Sequence, residues 1–154
     1  MNKIIIRLAR LDELETLLQF EQGIIEYERS MVPDMMIEHF NYYDLKKLIE
    51  CDDSEVVVAE YDGKLVASGY AKLKKSLNYL THDFHSFLGF MFVAAEFRGR
   101  GINKMIIDNL KEWSKAKGAT VFNLTVFAQN TSAIRAYEKI GFDKSVIEMR
   151  MDLK

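Results

Sequence analysis

The sequence has one proline, one cysteine and no long apolar run. A single cysteine, Cys51, excludes an internal disulfide and suits a reducing compartment, so we expect a cytoplasmic protein with an unreactive, partly buried thiol. No apolar run reaches the length of a membrane span, and no basic-plus-apolar signal peptide opens the chain. The formal net charge of −2 gives no general excess of positive charge. Neither nucleic acid nor a membrane is therefore expected as a partner.

The chain has enough apolar residues for one sizeable core. Its 154 residues are 49% apolar and 29% charged, a balance typical of a soluble globular domain. No Ser/Gly-rich linker and no internal repeat divides it, so we predict a single domain over residues 1–154. The three histidines have no partners at the spacing of a zinc site, and no metal is expected.

Hydrophobic periodicity and turn residues predict the elements in the order β-α-α-β-β-β-α-β-α-β. The predicted strands cover residues 3–8, 55–61, 64–74, 87–93, 120–127 and 147–153, and Asp62 and Gly63 form a hairpin turn. The predicted helices cover residues 11–28, 101–117 and 131–139, with a further helix that Asp34 caps and whose apolar side carries Ile37, Phe40, Leu45 and Leu48. This order predicts an α/β fold (an α+β mixed sheet) with helices on its faces.

A glycine-rich basic turn joins the fourth strand to the third helix. Gly99 and Gly101 allow the backbone to approach a ligand closely. The first N–H groups of the following helix have no intrahelical partner, so they favour an anion, and Arg98, Arg100 and Lys104 add positive charge. The pattern lacks the third glycine of a dinucleotide fingerprint and the G-K-[S/T] of a P-loop. We therefore expect a ligand that carries a di- or polyphosphate.

A second motif, N-x-x-A-x-x-x-Y-x-x-x-G-F, occurs at Asn130, Ala133, Tyr137, Gly141 and Phe142. Together with the glycine turn it resembles the GNAT superfamily of acetyl-CoA-dependent N-acyltransferases. The turn resembles that family's pyrophosphate signature, Q/R-x-x-G-x-G/A, except that Asn103 stands where Gly or Ala is usual. The element order fits from end to end, so the resemblance covers the whole chain.

The resemblance implies how acetyl-CoA is held as a co-substrate. In the family the fourth and fifth strands splay apart, and pantetheine pairs with the exposed edge of the fourth strand. The N–H groups of that edge would also stabilise the oxyanion of the reaction. The cofactor-binding residues implied are Met91, Phe92, Val93, Arg98, Gly99, Arg100, Gly101, Ile102, Asn103, Lys104, Asn130 and Tyr137. For Asn130, a contact with pantetheine and a helix cap alone both remain open.

Tyr137 is the catalytic residue that the resemblance implies. Its hydroxyl would protonate or hydrogen-bond the departing thiolate, and one positioned donor of this kind contributes roughly ten- to ten-thousandfold in rate. Its alternative role is that of a core tyrosine, because Ala133, Ile134 and Ile140 share its helix face.

The acceptor amine must lose a proton before it attacks, and the sequence leaves the base open. Ser86 and Phe87 stand where many family members have an acidic residue. The alternatives are His82, Asp83, His85, Glu21, Glu26 and Glu28, or water with no dedicated base. Aromatic residues that could line the acceptor groove are Tyr27, Tyr42, Tyr43, Tyr79 and Phe84.

The resemblance implies an acetyltransferase that moves the acetyl group directly to a primary amine of a small molecule or of a peptide or protein. Two alternatives from other classes remain: a non-catalytic acyl-CoA sensor or interaction module, and a nucleotide-binding protein. Nothing in the sequence selects the acceptor. The apolar alternation of the last predicted strand suggests a homodimer, in which a sheet continues across a twofold axis.

Overall fold

The computed structural model describes residues 2–154 and contains one five-stranded mixed sheet in the order β1-β2-β3-β4-β5. The strands are β1 (Ile5–Leu8), β2 (Ser54–Tyr61), β3 (Lys64–Lys75), β4 (Phe84–Val93) and β5 (Phe122–Leu124). The helices are α1 (Leu14–Glu28), α2 (Leu45–Glu50), α3 (Ile102–Ala116) and α4 (Thr131–Ile140), with 3-10 turns at Leu11–Glu13, Arg29–Met31 and Ala95–Phe97. The first four strands pair antiparallel, and β5 pairs parallel to β4. The predicted mixed sheet with helices on its faces is confirmed.

An apolar cluster covers each face of the sheet. On β2, Val57 and Ala59 point to one face and Val56 and Val58 to the other, because side chains alternate along a strand. Helix α3 packs on the first face, with Ile102, Ile106, Ile107 and Leu110 buried there. Helices α1 and α2 cover the second face through Leu17, Leu45 and Leu48. The helices of the two faces therefore approach β4 from opposite sides.

The predicted hairpin turn is present between β2 and β3. Asp62 and Gly63 both have positive φ values, 52° and 78°, as a two-residue type I′ turn requires. A Cβ on Gly63 would meet no atom within 4 Å, so only its backbone conformation favours glycine there.

The second helix begins ten residues later than predicted. Asp44, not Asp34, is its N-cap, and the Asp44 carboxylate accepts a 3.1 Å hydrogen bond from the Lys47 N–H. The loop before it is fixed to α1 by side chains, since the Glu21 carboxylate accepts bonds of 2.6 and 2.8 Å from the N–H groups of Tyr42 and Tyr43. These N–H groups are therefore not available for helical hydrogen bonds. Residues 35–43 do not form the helix that their apolar spacing predicts.

The predicted sixth strand does not form. Residues 147–153 have no regular structure, and Val146, Ile147, Met149, Met151 and Leu153 are 78–91% exposed. Only three residues of the predicted fifth strand pair with β4. A strand needs a neighbour with which to exchange hydrogen bonds, and alternation alone does not supply one.

Candidate functional site

Strands β4 and β5 separate after a short parallel ladder. The ladder runs from Ser86 opposite Phe122 to Leu88 opposite Leu124, and no pairing of the two strands continues beyond it in the described chain. Strand β4 continues to Val93 paired with β3 alone. Its β5-facing edge therefore has no strand partner over the positions where the sequence predicts pantetheine to bind, Met91, Phe92 and Val93.

A kink in β4 lies where the two strands separate. Phe90 has φ +57°, an uncommon conformation for a bulky residue, and the register with β3 shifts between Ser68 and Tyr70. The Ser68 hydroxyl donates a 3.0 Å hydrogen bond to the Phe90 carbonyl, and the Phe90 N–H donates a 3.3 Å bond to the Tyr43 hydroxyl. Side chains on both sides thus hold the kink that turns the end of β4 away from β5.

Helix α1 contacts the free part of β4 directly. The rings of Phe20 and Phe92 stack with their centroids 4.4 Å apart. A Cβ placed on Gly23 would lie 3.0 Å from the Phe92 ring, so the helix backbone is unusually close to the strand. Met91 packs on the opposite face, against the cluster under α3. The side chains of Met91 and Phe92 are therefore engaged in packing, while the strand edge between them is free.

The predicted phosphate turn directly follows β4. Gly99 and Gly101 both have φ +77°, and a Cβ on either would meet no atom within 4 Å. Helix α3 begins at Ile102, and its first bond runs from the Met105 N–H to the Gly101 carbonyl at 3.2 Å. Among residues 2–154, the N–H groups of Gly99, Arg100 and Gly101 have no hydrogen-bond acceptor. Six consecutive N–H groups, residues 99–104, are therefore available to an anion.

The side chains of this turn bind locally. Arg98 Nε donates to the Val93 carbonyl at 3.2 Å, the Arg100 guanidinium lies 4.8 Å from the centroid of the Phe97 ring, and Lys104 pairs with Asp108 at 2.7 Å. Ile102 is 2% exposed and belongs to the core, so only its backbone can contact a ligand, whereas Asn103 is half-buried. The backbone of the turn, more than its cations, is arranged for binding.

Asn130 caps α4, the helix that carries Tyr137. Its side-chain oxygen accepts a bond from the Ala133 N–H at 3.4 Å, so Asn130 caps the helix as both of its alternative roles require. Tyr137 is half-buried and packs edge-on against Phe142, with centroids 5.8 Å apart. Its hydroxyl has no hydrogen-bond partner within residues 2–154, yet it is not a fully buried polar atom. Burial first, and the charge of Glu28 second, raise the pKa of Tyr137 to about 12. The hydroxyl therefore keeps its proton at neutral pH.

The alternatives for a base occupy different parts of the molecule. Ser76 accepts or donates hydrogen bonds with His82 and His85 at 2.7 and 3.0 Å, at the beginning of β4. His85 is six residues from Met91, about 20 Å along a strand. Ser86 is fully buried and bonds to Ser114 at 2.7 Å. None of these groups adjoins the free edge of β4.

Glu28, at the end of α1, is connected to the kink of β4 through Tyr42 and Tyr43. It is half-buried, accepts a 2.9 Å bond from the Tyr42 hydroxyl, and acts electrostatically on both Tyr43 and Tyr137. The sequence analysis named Glu28 among several acids but could not choose it, and it had no signal for the role of Tyr43 at the kink. Of the predicted aromatic lining, Tyr42 and Tyr43 lie here, whereas Tyr79 is 76% exposed in the loop before β4.

Within residues 2–154 no group of three or more His, Cys, Asp or Glu side chains is arranged to hold a metal ion. The same part of the chain has no helix long and apolar enough to cross a membrane.

The splayed strands, the glycine turn and the helix that carries Tyr137 are the three features that the resemblance to acetyl-CoA-dependent acyltransferases predicts. The model of the acetyltransferase (GNAT) family matches residues 17–142. The chain therefore belongs to the GNAT acetyltransferase family, and the expected enzyme class, an acyltransferase, is supported.

Relatives with curated names and solved structures agree with this assignment. An acetyltransferase of Pectobacterium atrosepticum is 30% identical over 103 residues, which is 65% of either chain. The chain spans between 24% and 65% of the length of the first curated relatives that it matches. A mutant of the BH1408 protein of Bacillus halodurans has a TM-score of 0.88 at 19% identity, covering 97% of this chain and 99% of that one. The aminoglycoside N-acetyltransferase AAC(6')-Iy, solved with CoA, has a TM-score of 0.72 at 20% identity, covering 96% and 99%. These two structures support the fold.

Proposed function

We propose that this chain is a single N-acetyltransferase domain that transfers the acetyl group of acetyl-CoA directly to a primary amine of a small molecule or of a peptide or protein. The observation that carries the proposal is the free edge of β4, which leads directly into a turn with unpaired N–H groups. An extended amide chain that ends in a pyrophosphate would use both features at once. A co-substrate of that kind occurs in the structural neighbour solved with CoA.

The residues of the chain fit acetyl-CoA in three places. The backbone of Met91, Phe92 and Val93 would pair with the pantetheine amides, and the N–H groups of residues 99–104 would hold the pyrophosphate, while the Arg98 N–H is bonded to the Ala95 carbonyl. Asn130, at the start of α4, would stand beside the pantetheine arm while it caps the helix. Tyr137 would hold its hydroxyl toward the thioester sulfur.

The chemistry requires the backbone and one hydroxyl. A neutral amine attacks the thioester carbonyl, and free N–H groups of the β4 edge stabilise the oxyanion that develops. The C–N bond forms, the C–S bond breaks, and the thiolate receives the proton of the Tyr137 hydroxyl. The nitrogen releases its surplus proton, which restores the hydroxyl directly or through water. No covalent intermediate with the protein is needed.

Calorimetric titration with acetyl-CoA, CoA and ATP, followed by a thiol-release assay on a panel of amines, tests the proposal. We expect micromolar binding of both CoA species, weak or absent ATP binding, and thiol release with at least one amine. CoA binding with no turnover would favour a non-catalytic acyl-CoA sensor. Tight binding of ATP without CoA binding would favour a nucleotide-binding protein instead.

We also propose that the chain works as a homodimer in the cytoplasm. The last segment exposes Ile147, Met149, Met151 and Leu153, which alternate as one face of a strand. If two copies paired antiparallel about Met149, Glu148 of each copy would face Arg150 of the other, so the charges are complementary.

Sedimentation velocity over a range of concentrations tests the dimer. We expect the double variant Met149→Asp, Met151→Asp to sediment as a monomer, and Leu77→Asp, which changes an exposed apolar residue in a loop, to behave as the wild type. A wild-type monomer at every concentration would dismiss the dimer.

A further inference from the structure

Two carboxylates of α1 converge on one tyrosine of the loop before α2. Glu21 and Glu28 are seven residues apart and so lie on the same face of the helix. Glu21 accepts a 2.6 Å bond from the Tyr42 N–H, and Glu28 accepts a 2.9 Å bond from the Tyr42 hydroxyl. The Tyr42 ring packs edge-on against Tyr43, whose hydroxyl accepts from the Phe90 N–H. This series of contacts connects the Glu28 carboxylate to the kink of β4 through two tyrosines.

Tyr137 packs against the cluster under α3, on the opposite face of the sheet from Tyr43, and the charge of Glu28 still acts on it. That charge contributes to the raised pKa of Tyr137 and, through its effect on Tyr43, acts on the residue that holds the kink. Helix α1 and helix α4 thus bring a carboxylate and a phenol within electrostatic range of each other. Since Tyr137 is the implied proton donor to sulfur, the carboxylate would stand on the acceptor's side of the reaction.

The carboxylate of Glu28 has a hydrogen-bond donor but no cation. Arg29, its neighbour in sequence, is turned away: its guanidinium pairs with Glu26 at 2.7 Å and lies 5.8 Å from the Phe40 ring centroid. Within residues 2–154 no Lys, Arg or His nitrogen lies within 4.0 Å of the Glu28 carboxylate. A partly buried charge favours a partner of opposite sign, and a protonated amine would supply it.

We propose that Glu28 binds the ammonium group of the acceptor and takes its proton before the amine attacks the thioester. This inference rests on the proposed acetyl transfer. The N–H bond of the ammonium breaks, an O–H bond forms on Glu28, and the lone pair left on nitrogen attacks the carbonyl carbon. The proton on Glu28 passes to solvent.

The surroundings of Glu28 favour that transfer. Burial raises the pKa of Glu28, whereas the Tyr42 hydrogen bond lowers it. An ammonium and a carboxylate that are desolvated together are both neutralised when the proton moves, so burial narrows the difference between their pKa values. The titratable groups that act on this region are Tyr42, Tyr43, Tyr70, Tyr137, Glu21, Arg29 and His39.

The two other acids of α1 that the sequence left open as a base, Glu21 and Glu26, do not fit this role. The Glu21 carboxylate is fully buried, and one of its oxygens already accepts two backbone N–H groups. The Glu26 side chain is 69% exposed and paired with Arg29. Glu26 therefore offers a matched control, because it lies on the same helix and its neutralisation removes the same charge.

The test compares Glu28→Gln and Glu26→Gln in the full chain, with an amine that the wild type acetylates. We expect both variants to keep the wild-type melting temperature within a few degrees and the affinity for acetyl-CoA within twofold. In Glu28→Gln, kcat/KM for the amine should fall about 100-fold or more at pH 7. The loss should shrink toward the pKa of the amine, where solution supplies the neutral form. Glu26→Gln should match the wild type.

A second variant keeps the test decisive if Glu28→Gln does not fold. Tyr42→Phe removes the hydrogen bond that lowers the Glu28 pKa, so the acidic limb of the kcat/KM profile should move to higher pH. A Glu28→Gln profile equal to the wild type, or a loss that stays the same at every pH, would overturn the role of Glu28. An unmoved limb in Tyr42→Phe would overturn it also. A wild type that acetylates no amine would instead overturn the proposed function.

Discussion

The ring of Phe20 on α1 stacks on the ring of Phe92 on β4, with planes only 20° apart. This pair joins α1 to the strand whose edge is free. Phe20→Ala should lower the free energy of unfolding by about 3 kcal/mol, the low end for a phenylalanine that is half-buried. Urea denaturation measures it. Leu11→Ala, at a residue 46% exposed, should change stability by less than about 0.5 kcal/mol, and equal losses would contradict the role of the stack.

Removing the Tyr137 hydroxyl should affect turnover and leave binding intact. In Tyr137→Phe we expect kcat to fall about 100-fold or more, because the thiolate then leaves without a proton donor. The affinity for CoA should remain near the wild-type value. Since the pKa of Tyr137 is about 12, the wild type should lose no activity through this group between pH 7 and pH 10. An unchanged kcat in steady-state assays would remove Tyr137 from the mechanism.

Gly99, in the turn after β4, should affect ligand binding, whereas Gly63, in the β2–β3 hairpin, should not. Gly99→Ala and Gly63→Ala introduce a Cβ at φ values of +77° and +78°, both into open space. Each should cost about 1–2 kcal/mol of folding free energy, because the left-handed conformation is strained for alanine. Only Gly99→Ala should also weaken acetyl-CoA binding in calorimetry. Equal affinities in the two variants would argue against the turn as the pyrophosphate site.

Substituting two aspartates, Asp44 and Asp34, tests which residue caps α2. Asp44→Ala removes the acceptor of the Lys47 N–H bond and should cost about 1 kcal/mol. Asp34→Ala breaks only a surface ion pair with Arg150, so we expect a clearly smaller loss than for Asp44→Ala. Thermal or urea unfolding measures both. A larger loss for Asp34→Ala than for Asp44→Ala would support Asp34 as the cap, as the sequence predicted.

Glu21 should make stability depend on pH. Burial raises the pKa of Glu21 above its ordinary value, so the folded state holds this proton more tightly than the unfolded chain does. The contribution of Glu21 to stability therefore falls as pH rises from about 4.5 through the raised folded pKa. Over that pH range the stability of Glu21→Gln should rise relative to that of the wild type. At lower pH, where the wild-type side chain is protonated in both the folded and the unfolded state, the difference between the two proteins should stay constant. Urea unfolding from pH 4 to pH 7 tests the sign, and a difference that does not vary with pH would reject it.

Local signals predicted most of the fold. Asp62-Gly63 fixed the hairpin, and the apolar spacing of residues 102–110 gave α3 within one residue of its bounds. Two elements were wrong because their outcome depends on distant groups. The helix expected after Asp34 gave way to hydrogen bonds that the Tyr42 and Tyr43 N–H groups donate to Glu21. The strand expected at 147–153 has no neighbouring strand within residues 2–154.

The parts of the site that form a sequence motif were predictable. The parts that depend on packing between distant residues were not. The glycine turn and Tyr137 were recognisable as a pattern of spaced residues. The kink at Phe90 could not be inferred, because its positive φ depends on Ser68 from β3 and Tyr43 from the α2 loop. The choice of Glu28 among the acids of α1 depends in the same way on where Tyr42 lies.

The glycine at position 23 sets how closely α1 approaches β4. The backbone of α1 approaches β4 so closely because position 23 has no side chain, and one methyl group there would meet the Phe92 ring. A larger residue at this position would push the Phe92 ring away and separate α1 from the free part of β4. Under the proposed function, this separation would change which amines can enter between α1 and β4.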